Sequence, residues 1–288
     1  MSFMFDPSAY ALNCIAETSR KGFHESSSVN SSSKSLNNSE PQIISTQPFK
    51  ASREMQKINV FIADFDDTIA PSTLLLRNNL GPNNPSERMP PSFHHDLAQI
   101  DQLCVELFEF FLAKDNTYVF ILTNSRNNWV QLCSEQFLPL FYSLITKHQI
   151  PIISARSDHE QAFPNTPIYW KVLAMNRILN DHVFKGEYRS PPPPIPKTLT
   201  PSKALEKTAE YYPIPVNLIN VGDSLSDRTA LIATSNYLPS GSFAKNVKFI
   251  EQPNFVVLQN QLKKLHKMCY ELFTSESDLD ITMTKRHH

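Results

Sequence analysis

Residues 58–73, INVFIADFDDTIAPST, run six mostly apolar residues into Asp64, Asp66 and Asp67. A short run rich in Val, Ile and Phe and bounded by turn signals reads as a strand buried on both faces. The acids then stand at the carboxyl end of that strand. Left unpaired in a buried place, each would cost roughly several kcal/mol, so a cation or a set of donors is expected beside them.

The chain has 288 residues, 41% of them hydrophobic, which suits one sizeable domain plus tails. Its 27 basic residues are balanced by 28 acidic ones, so no global field recruits nucleic acid, and a charged ligand must be met by a local cluster. Cys14, Cys104, Cys133 and Cys269 form no Cys-x-x-Cys pair. That argues against a disulfide framework or a zinc knuckle and fits a reducing, cytoplasmic location. No uninterrupted apolar stretch approaches about 18 residues. Asp6 and Pro7 stand where an export signal needs a basic start and an apolar run. A membrane association is not expected.

Residues 1–23 form an N-terminal segment that can make a short helix, and 24–55 read as a disordered Ser/Asn-rich linker that cannot bury enough apolar surface to offset its ordering entropy. The domain spans 56–274 and carries a Pro-rich insertion near 185–201, YRSPPPPIPKTLTP, extended in polyproline conformation. Residues 275–288 read as a tail. Within the domain, strands are expected at 58–63, 118–122, 150–154, 217–221 and 246–250. Between them lie helices: one running from an Asp96 cap through Leu97, Ile100, Leu103, Leu107 and Phe111, then 127–143, 167–181, 203–211, 226–234 and 255–273. His94 and His95 fall in a loop before the first of these, as surface residues, and Trp170 packs in the core. Alternation of strands and helices predicts an α/β, Rossmann-like three-layer sandwich around a mostly parallel five-stranded sheet. Ligands of such sheets bind beyond the carboxyl ends of the strands.

Two more strand ends carry matching chemistry. The second ends in FILTNSR, with the Thr123 hydroxyl followed by Asn124, Ser125 and Arg126. The fourth runs LINVGDSLSD and places Asp223 and Asp227 after Gly222, one of only five glycines in the chain. Acids from two strands, a hydroxyl from a third and a helical lysine describe a site for a divalent cation and a phosphoryl group, and hard oxygen ligands suit Mg²⁺. A receiver-type phosphoacceptor uses similar residue types but leaves VGDSLSD without a role.

DFDDT resembles the first motif of the haloacid dehalogenase superfamily, FILTN its second and VGDSLSD its fourth, in the family's order, over roughly residues 56–252. The resemblance implies that Asp64 is a nucleophile forming an aspartyl-phosphate, and that Asp66 protonates the leaving group and then activates water. It also implies that Thr123 and a lysine hold phosphate oxygens. Mg²⁺ would be held by Asp64, the Asp66 carbonyl and Asp223, with Asp227 orienting them. For the third-motif lysine the resemblance favours Lys171, in the Trp-Lys of PIYWKVLAM, with Lys203, 20 residues before Asp223, as the alternative. Arg156, in the Ser-Ala-Arg after the third strand, and Asn124 are candidate substrate-binding residues. Fewer than 30 residues separate Thr68 from Leu97, and only a helix fits after Asn124, so little or no cap domain is expected. An open site suits a phosphate presented on a macromolecule. The chain is similar to the capless group that includes phosphotyrosine phosphatases secreted into host cells by intracellular bacteria. That likeness implies a phosphorylated protein as substrate, with a small phosphomonoester as the alternative, and an effector role.

Overall fold

The computed structural model describes residues 57–82, 89–126, 128–185 and 214–284. Segments 1–23 and 24–55, nearly all of the Pro-rich insertion, the helix expected at 203–211, Lys203 and Cys14 lie outside them. The strands are β1 (Ile58–Ala63), β2 (Thr117–Thr123), β3 (Ile152–Ser154), β4 (Val216–Gly222), β5 (Phe243–Lys248) and β6 (Leu279–Thr282). The helices are α1 (Ser72–Arg77), α2 (Pro91–Leu112), α3 (Trp129–Phe137), α4 (Pro139–Lys147), α5 (Ala155–His159), α6 (Pro167–Arg177), α7 (Leu225–Ser235) and α8 (Phe255–Thr274), with a π-helical turn, Ile178–Val183, continuing α6.

The sheet has six strands in the order β3-β2-β1-β4-β5-β6. Every pairing is parallel. Chain direction across the sheet reverses at β1, so a crevice opens above the carboxyl ends of β1 and β4. β1 pairs on both sides and is buried on both faces, which is why its sequence is nearly unbroken in apolar residues. Phe61 and Ala63 face a core built with α2, α3, α4 and α8, where the Phe61 ring stacks on Phe111 at 4.0 Å and meets Phe108 edge-on at 5.5 Å. Val60 and Ile62 face the second core, against α6 and α7, where Trp170 and Met175 are buried. The result is the expected three-layer α/β sandwich.

Three expectations need correction. The sheet has six strands rather than five, because Leu279–Thr282, read as tail, adds an edge strand. Its LDIT alternates half-buried and exposed residues, so it carries no apolar run to read. Pairing with β5 and the packing of Leu279 and Ile281 on the core are joined by charged and polar bonds: Arg228 Nε to both oxygens of Asp280 (2.9 and 3.1 Å), Asn246 Nδ2 to Asp280 Oδ1 (3.0 Å) and Ala244 N to Asp278 Oδ1 (2.8 Å). Next, α2 starts at Pro91 with Pro90 as its cap, so Asp96 lies inside the helix, and His94 and His95 sit on its exposed face. A proline in the first turn lacks only an N–H that a helix leaves unbonded there. Lastly, 127–143 is two helices, because Pro139 disfavours helical backbone at Leu138 (φ −136°) and restarts the helix itself.

Cys104, Cys133 and Cys269 are buried free thiols. Asp101 of α2 is 1% exposed, and its carboxylate accepts Leu140 N (2.9 Å) and Phe141 N (2.8 Å), capping α4 from a neighbouring helix. Asp101→Ala removes the cap and leaves a part-buried and a buried N–H without their acceptor. It should lower stability by about 2–4 kcal/mol in urea unfolding, with Asp101→Asn intermediate because its amide oxygen still accepts.

Candidate functional site

Register brings the acids together. Ala63 lies opposite Val221, and Asp64 N donates to Val221 O at 2.8 Å, so Asp64 leaves β1 level with the point where Gly222 and Asp223 leave β4. Carboxylate oxygens of Asp64, Asp223 and Asp227 lie within 4.8 Å of one another. Lys171 of α6, 2% exposed, donates from Nζ to Asp64 Oδ1 at 2.7 Å and bonds Asp227 Oδ1 as well. Of the two candidate lysines, Lys171 therefore meets the acids, and Lys203 lies outside the described residues.

Asp227 is fixed as the third residue of α7. Ser224 caps that helix, its side chain accepting from Asp227 N, while Asp227 Oδ2 accepts from Ser224 N (3.2 Å) and Ser224 Oγ (2.5 Å). This reciprocal box turns the Asp227 carboxyl back over the strand end. Gly222 is required beside it, since a Cβ there would overlap the Asp227 carboxyl. Gly222→Ala should push that carboxyl aside and weaken the affinity of the acidic cluster for a divalent ion about 10- to 100-fold, read by calorimetric titration with MgCl₂.

The electrostatics call for a cation. Burial pushes the Asp64 pKa well above the ordinary range; Lys171 opposes the shift, while Asp227, Asp66 and Asp223 add to it. For Lys171 burial disfavours the ammonium, but Asp227 and Asp64 outweigh it and hold its pKa above the usual lysine value. Asp223 is raised to about 7, first by burial and then by Asp227 and Asp67. Among the described residues Lys171 is the cation ion-paired with these carboxylates, one positive charge against three acids. A divalent ion would balance the surplus, and an all-oxygen donor set fits Mg²⁺.

A pH dependence follows. The unfolded Asp223 titrates near 3.8 and the folded one near 7, so between these values the folded chain binds more protons. Stability without metal should therefore fall as pH rises from about 4 to about 7. A divalent ion held by Asp223 would require its ionised form, so affinity for added MgCl₂ should drop as pH falls below about 7. Thermal unfolding across pH, with and without MgCl₂, reads both effects.

Asp66 sits on the turn after β1 and its side chain stays apart from the three clustered acids. Its Oδ2 accepts from Thr123 Oγ1 (3.1 Å) and Ser125 Oγ (2.6 Å), and its Oδ1 from Trp129 Nε1 (2.7 Å). The carboxylate of Asp66, a residue expected as a metal ligand, is thus not part of the acidic cluster of Asp64, Asp223 and Asp227. Asp67 takes a left-handed conformation (φ 57°), and its carboxylate accepts Thr73 N at 2.9 Å, tying the turn to α1.

These side chains floor a cleft of about 640 Å³. Asn124 lines it, donating to Pro167 O at 3.4 Å, with its buried Oδ1 left without a partner among the described residues. Arg156 also lines it, with Nε and Nη2 both bonded to Glu160 Oε1 (3.0 and 2.8 Å), an ion pair that orients the guanidinium. Sequence reading missed Ser125, Trp129 and Ser224 as parts of the site. Ser224 was legible as a Ser-x-x-Asp cap box before α7, whereas NSRNNW gives no signal that an indole reaches back to Asp66.

Between β1 and α2 the described residues form only α1, and between β2 and β3 only α3 and α4. No helix among them is long and apolar enough to cross a membrane. Compared with family models, with curated proteins and with solved structures, the chain matches none.

Proposed function

We propose that this protein is a Mg²⁺-dependent phosphohydrolase of haloacid dehalogenase type that works through an aspartyl-phosphate on Asp64, with a phosphoprotein, in particular a phosphotyrosine, as substrate. The observation that carries this reading is the convergence of Asp64, Asp223, Asp227 and Lys171 over the carboxyl ends of β1 and β4.

Carboxylates of Asp64, Asp223 and Asp227 would hold Mg²⁺ together with the Asp66 carbonyl, and the ion supplies charge neutralisation that lets one anion attack another. The Asp64 carboxylate forms a bond to phosphorus as the bond from phosphorus to the leaving oxygen breaks. Asp66 gives that oxygen its proton. Water then bonds to phosphorus, its proton passes to Asp66, and the bond from phosphorus to Asp64 breaks, restoring both carboxyl groups. Lys171 opposes the effect of burial on Asp64, favouring its ionised form, and offers its ammonium to the phosphoryl oxygens. Replacing Asp66 by Asn should lower kcat roughly 10²- to 10⁴-fold.

A macromolecular substrate is favoured by the open cleft, whose rim carries Leu76 of α1 and Leu132 of α3, 52% and 45% exposed. Exposed leucines beside charged groups suit a substrate that brings its own apolar surface and excludes water on docking. The test is a panel of phosphopeptides and phosphometabolites compared by kcat/KM in MgCl₂ and again in excess chelator. Mg²⁺-dependent turnover with phosphotyrosine peptides ahead is expected. Activity confined to metabolites would remove the phosphoprotein substrate, and full activity in chelator would remove the metal.

A further inference from the structure

Resting on that reading, we propose that Trp129 and Ser125 are positioning residues that set the plane of the Asp66 carboxyl group for the water-activating half of the reaction. Asp66 is on a turn, beyond the last pairing of β1, where strand geometry no longer fixes a side chain. Three donors from one short stretch of chain, residues 123–129, occupy both its oxygens.

The donors differ in kind. Hydroxyls of Thr123 and Ser125 can rotate between donating and accepting, so they adapt to either protonation state of Asp66. The indole N–H only donates, from a fixed position in the ring plane. It therefore pins Oδ1 and leaves Oδ2 as the oxygen that exchanges protons.

The stretch is itself anchored. Ser125 N donates to Thr123 Oγ1 (2.9 Å), and Ser125 O accepts from Ser154 Oγ (2.6 Å) at the end of β3. Trp129 opens α3, follows Asn128 in the left-handed conformation (φ 68°), packs against the larger core and donates its backbone N–H to Arg126 O at 3.2 Å. A partly buried indole needs only some acceptor. Here it takes one oxygen of the side chain assigned to proton transfer, across 63 residues of sequence.

The two half-reactions separate the effect. With 4-nitrophenyl phosphate the departing nitrophenolate needs no proton, so formation of the aspartyl-phosphate is insensitive to where Asp66 points. Attack by water is sensitive, because the water proton must pass to Asp66 as the new bond to phosphorus forms. Rapid mixing of the full-length chain with 4-nitrophenyl phosphate and MgCl₂ reads both. For Trp129→Phe a burst of about one nitrophenolate per site is expected, followed by turnover lowered roughly 10- to 100-fold with KM lowered in parallel. Ser125→Ala, the smaller change should the Phe variant fail to fold, is expected to show the same burst with a lesser loss. Asp66→Asn is the reference for a burst without turnover. If wild type turns over and Asp66→Asn bursts, while Trp129→Phe and Ser125→Ala keep the wild-type rate or lose burst and turnover together, the positioning role is overturned and the phosphohydrolase stands. If wild type releases no nitrophenolate in MgCl₂, the reading beneath both falls.

Discussion

Asp64→Asn is expected to abolish turnover of an aryl phosphate while leaving the fold as stable as wild type or more so. The amide cannot attack phosphorus, so no covalent intermediate forms, and the loss should exceed that of Asp66→Asn because a nucleophile has no substitute. The stability half of the expectation comes from charge. Asp64 is 5% exposed, burial raises its pKa, and Asp227, Asp66 and Asp223 all repel its ionised form. Removing one acid from a buried cluster of three relieves that repulsion, as is usual where a site is arranged for chemistry rather than for stability. Thermal unfolding without metal should give a Tm equal to or above that of wild type. A variant that is both inactive and strongly destabilised would make Asp64 a structural ion-pair partner instead.

Lys171→Met should have the opposite signature. Its ammonium bridges Asp64 and Asp227 from a position that water does not reach, and the Met side chain fills similar space without charge. Taking one partner out of a buried ionic cluster costs about 3–5 kcal/mol, because the remaining charges stay buried and unmatched. Two additions should recover part of that loss: MgCl₂, which returns positive charge to the cluster, and a second substitution, Asp64→Asn, which removes one negative charge. The double-mutant cycle would then show strong coupling between Lys171 and Asp64. Activity should stay lost in every combination. A Lys203→Ala variant serves as the contrast: near wild-type activity is expected of it, and loss of activity there with Lys171→Ala active would reverse the assignment of the lysine.

Legibility in the sequence followed burial. β1 and β4 are central and covered on both faces, so INVFIA and VNLINVG stand out as apolar runs, and the acids after them read as strand-end chemistry. The strand at 243–248 was placed at 246–250, since Lys245 interrupts the pattern. That lysine is fully buried because its Nζ donates to Leu272 O (2.7 Å) and Ser275 O (2.6 Å) at the carboxyl end of α8. Its role depends on carbonyls 27 and 30 residues further along the chain, which no local pattern encodes. β6 is hard to read for a related reason: Leu279 and Ile281 are only partly buried against the core, and Arg228 and Asn246 bond its Asp280 from elements distant in sequence. In the site, chain spacing carried Asp64, Asp66, Thr123, Asp223 and Asp227, whose positions are tied to strand ends. Trp129 escaped because its partner is set by how α3 folds back over the β2 end. Spacing before Asp223 suits Lys203 and the Trp-Lys context favours Lys171; the structure shows Lys171 bonded to Asp64 and Asp227, while Lys203 lies outside the described residues.

The most direct measurement is to mix the protein with MgCl₂ and an aryl phosphate, quench in acid during turnover, and map the bound phosphoryl group by peptide mass spectrometry. The expected result is one phosphoryl group on the peptide containing Asp64, localised to that residue, lost in Asp64→Asn and accumulating in Asp66→Asn. Steady turnover with no phosphorylated peptide, or a phosphoryl group on a different side chain, would contradict it.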